Sequence, residues 1–326
     1  MKIETTIPYI AARFVYHMIK KAKNTLFPPE TAGIVYVFHR VEEQNPDKMF
    51  SNENMKISSE KLAEKIEEIQ KYYNIIPSTE IEKYLSEEQD KPFAVITLDD
   101  GYKDNLTNGL PVFKKYNVPF TIFLASDFID HKAVLWWYVL EDLLSKKDSI
   151  QLSDGSVFSC RTKEEMEHAF LEIRSRILTL NQNDFINELN NLFADDYIDW
   201  YQYNELGLTW EEVDILKNER LVTLGAHTAS HLCLKYLRTQ EDVVAEINKG
   251  VRILREHGIK PEVFAFPYGT KGEVSSREIK AAEVAGIPYA FTCYGGYYVK
   301  GKQYNSFKLT REGLSEASEI FNPQKR

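Results

Sequence analysis

The chain has 326 residues, 43% of them apolar, and carries 40 Lys and Arg against 49 Asp and Glu for a net charge of −9. That length buries a sizeable core, as one large α/β domain or two smaller ones. The acidic balance argues against a nucleic-acid partner, which would need a basic stripe, and favours a neutral or zwitterionic substrate over a polyanion.

Cys160, Cys233 and Cys293 lie far apart with no CxxC spacing. They suggest neither a disulfide framework nor a thiolate zinc site, and point to a reducing compartment. No uninterrupted apolar signal region opens the chain, and no stretch reaches the ~18 apolar residues of a spanning helix. A cytoplasmic location is therefore expected. Within residues 7–23, Ile7, Ile10, Ala11, Phe14 and Met18 fall at helical spacing beside Arg13, Lys20, Lys21 and Lys23. This is either a helix plugging one end of the core, the preferred reading, or a peripheral contact with an anionic membrane.

Residues 1–32 are set apart as an N-terminal helical segment. Gly33–His39 then reads as a first buried strand, and residues 59–73 as a helix with Leu62, Ile66, Ile69 and Tyr73 on one face and Ser58 or Ser59 as cap. Phe93–Asp100 is a second strand, Leu106, Leu110 and Phe113 mark a helix, and Pro119–Ala125 a third strand. The rhythm resumes with a strand at Leu221–Thr228. A capping box at Thr239–Asp242 opens a helix with Val243, Ile247, Val251 and Leu254 inward. Val263–Phe266, Pro288–Cys293 and Phe307–Thr310 read as strands, and Ser276–Ala285 as a helix stopped by Gly286. Strands alternating with helices imply parallel pairing through right-handed crossovers, and about seven βα units fall just short of an eight-fold barrel.

The interval 131–220 breaks this alternation and is expected to be a mostly helical inserted subdomain. The barrel domain then comprises 33–130 and 221–326. The inserted interval carries Trp136-Trp137-Tyr138, a hairpin-like Asp154-Gly155, helices around 164–180 and 184–193, and a capping box at Thr209–Glu212. Its aromatic rings suit a small core of its own better than a sugar-binding cleft.

Asp99 and Asp100 close the second strand. Two adjacent carboxylates at the end of a buried run are costly unless paired or bound to a metal, although Asp100-Gly101 also suits an ordinary turn. His227 and His231 decide the matter. Two histidines at i and i+4 after a strand can reach one metal ion, and one Asp of the pair supplies a third ligand. Two imidazoles and a carboxylate leave a coordination position open for water, as hydrolytic sites require.

Thr97-Leu98-Asp99-Asp100-Gly101, His227-Thr228-Ala229-Ser230-His231 and Phe266-Pro267-Tyr268-Gly269, in that order, resemble the motifs of the NodB-homology polysaccharide deacetylases. The resemblance spans roughly 33–130 and 221–312. It implies a distorted (β/α)7 barrel, in agreement with the strand count, and hydrolytic N-deacetylation of an N-acetylated carbohydrate. It further implies Asp99 as general base, and Asp100, His227 and His231 as ligands of one divalent ion, Zn²⁺ before Co²⁺, Ni²⁺, Mn²⁺ or Fe²⁺. Tyr268 matches the position whose backbone N–H meets the oxyanion.

The chain departs from that pattern in two places. A C-terminal Leu-x-His, which supplies the acid in many members, reads Leu309-Thr310-Arg311, and an arginine cannot donate a proton at neutral pH. Ala265 stands about where an arginine that orients the base would be. Arg311 is therefore expected to orient Asp99 or bind substrate, and His39, ending the first strand, to serve as the acid. A Tyr-His-Arg-Val-like first strand, as in deacetylases resembling those acting on poly-N-acetylglucosamine, supports His39. O-deacetylation or small-amide hydrolysis would use the same residues. A non-haem iron oxygenase also uses two His and a carboxylate, but the α/β alternation and the spare Asp99 oppose it. A non-catalytic glycan-binding protein would not need the base and all three ligands.

Overall fold

The computed structural model describes residues 30–193 and 197–324; the proposed amphipathic segment 7–23 lies outside them. No described helix is long and apolar enough to cross a membrane.

Seven parallel strands follow one another around the molecule in chain order: β1 (Thr31–Phe38), β2 (Phe93–Leu98), β3 (Phe120–Leu124), β4 (Val222–Ala226), β5 (Val263–Ala265), β6 (Tyr289–Thr292) and β7 (Leu309–Thr310). Every residue of β1, β2 and β3 is buried. This is why those strands read as continuous apolar runs instead of alternating ones. After β7 the chain bridges to the opposite edge, where Glu312–Gly313 pairs in parallel with Tyr36 and Val37 of β1. Leu314 N–H extends that contact by donating to Val37 O at 3.1 Å. Arg311 sits between the two pairings, so one short segment closes a distorted (β/α)7 barrel.

Helices cover the barrel's outer face. In α1 (Ser59–Tyr72) the Ser58 side chain accepts from Lys61 N–H, and Leu62, Ile66 and Ile69 face inward. A single π turn, Asn105–Gly109, leads into α2 (Leu110–Tyr116). Of the remaining helices, α3 (Trp136–Ser145), α4 (Lys163–Thr179) and α5 (Phe185–Leu192) build the insertion, together with a hairpin pairing Ser149–Gln151 with Val157–Ser159. Trp136, Phe170, Phe193 and Trp200 join a second core, to which Met49 and Cys233 from outside the interval also contribute.

The next helix, α6 (Trp210–Lys217), belongs elsewhere: its Val213 and Leu216 enter the main barrel core. The barrel thus resumes before residue 220, the expected end of the insertion. Its returning helix carries an apolar face like any other and was indistinguishable from its neighbours by periodicity. Capping boxes at Thr209, Thr239 and Ser275 start α6, α7 (Gln240–Glu256) and α8 (Ser276–Val284). The candidate site residues all follow the C-terminal ends of strands, on one rim, where loops are free to carry chemistry.

Candidate metal centre

Four non-glycine residues of this rim have left-handed backbone: Asp100 (φ 78°), Thr228 (φ 65°), His231 (φ 54°) and Tyr268 (φ 59°). Such conformations cost of order 1–3 kcal/mol each and persist where the surroundings impose them. Here they aim side chains inward. Asp100 and Gly101 (φ 91°) together turn the chain sharply off β2.

The turn brings Asp100 Oδ1 to 3.3 Å from His227 Nε2 and 3.2 Å from His231 Nε2. The three ligand atoms lie within 4.8 Å of one another. His227 Nδ1 is 2.8 Å from Ala265 O, so Nδ1 carries the proton and donates it to that carbonyl. Nε2 then presents a lone pair to a carboxylate oxygen. A carboxylate oxygen and an imidazole lone pair that face each other are satisfied by a proton or a metal ion between them, and Asp100 Oδ1 has no hydrogen-bond partner among the described residues. The donor set therefore fits a divalent ion with mixed nitrogen and oxygen ligands. Burial opposes charge on Asp100, yet the two histidines hold its carboxyl well below the usual range. Burial likewise opposes protonation of His227, and Asp99 and Asp100 override it and raise the imidazole.

The neighbouring Asp99 is placed differently. Arg311 grips it with two parallel bonds, Nη1 to Oδ1 at 2.6 Å and Nη2 to Oδ2 at 2.8 Å. The guanidinium is wholly buried, also reaches Thr97 Oγ1 and Cys293 Sγ, and lies over the Phe123 ring. Burial pushes Asp99 up, but Arg311 lowers it on balance. Arg311 does not line the cavity in front of the site. Of the two parts expected of it, its contacts are those of the first, on Asp99.

His39 and Tyr268 do line that cavity, which measures about 310 Å³ and also holds Asp99, Asp100 and both histidines. Burial lowers the His39 imidazole despite the charges of Asp100 and Asp99, so its neutral form is favoured. Asn105 Nδ2 donates to the His39 carbonyl at 2.9 Å and fixes the strand end. The Tyr268 ring lies 4.9 Å from that of His231, and its hydroxyl accepts from Trp136 Nε1 at 3.1 Å. Among the described residues the Tyr268 backbone N–H has no acceptor.

Two features go beyond the reading preferred from sequence, which gave the aromatic rings of the insertion to a core before a cleft. Trp136, Trp137 and Tyr138 form a wall of the cavity as well as anchoring the insertion. Glu246, on the inward face of α7, accepts from the backbone N–H groups of Ala229 (3.1 Å) and Ser230 (2.6 Å) and so braces the histidine loop. Its signal was present: an acidic residue interrupts the apolar stripe of Val243, Ile247 and Val251.

Residues 86–290 match the family model described as polysaccharide deacetylase. No curated protein matches the chain. Among solved structures it is similar to the Streptococcus pyogenes deacetylase PplD in complex with acetate, at 13% identity and a TM-score of 0.57, covering 89% of this chain and 94% of that one. IcaB from Ammonifex degensii gives 15%, 0.54, 88% and 93% in the same order. A de-N-acetylase from Aggregatibacter actinomycetemcomitans gives 14%, 0.57, 88% and 96%. At these identities the likeness is one of fold.

Proposed function

The chain belongs to the polysaccharide deacetylase family, and from that premise we propose that it is a metal-dependent hydrolase removing N-acetyl groups from an amino sugar in a polysaccharide or glycan precursor. The observation that carries this reading is the juxtaposition of an Asp100, His227 and His231 ligand set with a separate carboxylate, Asp99, in one cavity. A divalent ion held by those three residues, zinc in the first instance, would polarise the acyl carbonyl and make bound water acidic.

The chain's own residues supply the rest. Asp99, ionised and oriented by Arg311, takes the proton of the attacking water. The Tyr268 N–H meets the negative charge that develops on the acyl oxygen. His39 delivers a proton to the departing amine; since burial favours its neutral form, it is first charged by the proton that Asp99 took from the water, so that one proton leaves the water and one reaches the amine. In the aromatic wall Trp136 is buried, and the half-buried Trp137 offers apolar surface against which a sugar ring can rest. A cytoplasmic site of action, also part of this proposal, would make glycan precursors the substrates.

Acetate release from an N-acetylglucosamine oligomer is the direct test, with activity lost to a chelator and restored by Zn²⁺ or Co²⁺. Failure to hydrolyse any of a broad panel of N-acyl and O-acyl sugars, despite bound metal, would overturn the reading.

A further inference from the structure

A guanidinium cannot shed its charge when water is withdrawn from it, so it needs an anion nearby. Arg40, Arg176, Arg277 and Arg311 follow this rule: each is buried or half-buried, and each pairs with a carboxylate, respectively of Asp104, Asp154, Glu278 and Asp99. Arg174 is the exception. It is half-buried, yet among the described residues it makes no hydrogen bond and no ion pair.

Its position gives that exception a meaning. Arg174 lies on α4, four residues after Phe170, so the two share one helix face. Both line the same cavity as Asp100, His227 and His231. Its charge acts on the Tyr268 hydroxyl, as does that of Asp100. The other cavity-lining guanidinium, Arg40, is fully engaged by Asp104, Glu42 and Tyr138. The acids of the cavity are spoken for as well: Asp99 by Arg311, Asp100 by the two histidines. One unneutralised cation thus faces the space where substrate would sit.

We propose that Arg174 forms an anion subsite, and that the preferred substrate is an N-acetylated sugar bearing an acidic substituent, a carboxylate or a phosphate. The proposal rests on the deacetylase reading for the identity of the sugar. Either oxyanion matches the planar fork of the guanidinium. A single acidic group read at one cation is compatible with the chain's overall negative charge, which disfavours only long polyanions. The insertion then does more than wall the cavity, because it carries the residue that chooses among substrates.

Binding separates this proposal from turnover. N-acetylglucosamine, N-acetylmuramic acid and N-acetylglucosamine 1-phosphate are titrated against the zinc-loaded protein and its Arg174→Gln and Arg174→Lys variants, with tryptophan fluorescence as the readout. The wild type should bind at least one charged probe about tenfold more tightly than the neutral one, the scale of one charge-assisted contact. Which charged probe gains identifies the substituent. Arg174→Gln should abolish the advantage, Arg174→Lys should keep part of it, and added salt should shrink it in the wild type. Equal binding of all three probes, no binding of either charged probe, or an advantage that survives Arg174→Gln overturns the proposal. Absence of acetate release from every probe would count against the deacetylase reading and leave the binding preference standing.

Discussion

The pair Asp99 and Asp100 shows how two identical side chains in sequence acquire different partners. One is claimed by an arginine and the other by two imidazoles, and the turn between them makes the division. Asp99→Asn should therefore lower turnover at least 100-fold, the lower bound for losing a general base, while zinc titration still gives one bound ion. His39→Asn should likewise leave zinc binding intact and cut acetate release severely; near-normal release would remove His39 from the mechanism. Arg311→Met leaves a buried carboxylate without its partner and should destabilise the protein by about 3–5 kcal/mol in urea unfolding. The pH dependence of that loss follows from the direction of the Asp99 shift. A carboxyl held below its unfolded value contributes stability above about pH 4 and loses it as pH falls through the folded value. In metal-free protein the stability gap between wild type and Arg311→Met should thus narrow on acidification below about pH 4. A gap that widens there would contradict the pairing.

Elements position these residues by close contact as well as by hydrogen bonds. Gly250 lets α7 pass directly against the strained histidine loop, where a Cβ would collide with the Thr228 carbonyl. Gly250→Ala should push that loop outward and weaken zinc binding about tenfold or more, on the scale by which supporting contacts tune metal sites, while the barrel's unfolding transition changes far less. Across the cavity, Trp136→Phe removes the donor to the Tyr268 hydroxyl and leaves a void at a fully buried position, and should cost about 2–4 kcal/mol in urea unfolding. The elements themselves were largely legible in the sequence, because parallel strands buried on both faces write themselves as unbroken apolar runs and two helices, after Thr209 and Thr239, announce themselves with capping boxes. The candidate ligand set was legible because two histidines at i and i+4 sit next to a strand end. What stayed hidden was contact between distant segments: α6 returning to the barrel, Glu246 bracing the loop, and Trp136 serving the cavity as well as the insertion. Local periodicity carries no record of which surface an apolar face will meet.

At the scale of the molecule, a metal bound at the rim should stabilise the whole fold, because its three ligands come from two different strand ends. A ligand that binds only the native state adds about 2.7 kcal/mol at a hundredfold excess over its dissociation constant. Chelation should lower the melting temperature of the wild type and leave that of His227→Ala, already without its ion, nearly unchanged. The segment from Leu309 to Gly313 carries a different consequence. It stitches β6 to β1 with only two residues on each side, and the arginine that holds Asp99 is the stitch. Short strands at a seam are the first to fray. In rising urea the molecule should fall silent at a lower concentration than the one at which it unfolds, with its barrel standing and its latch undone.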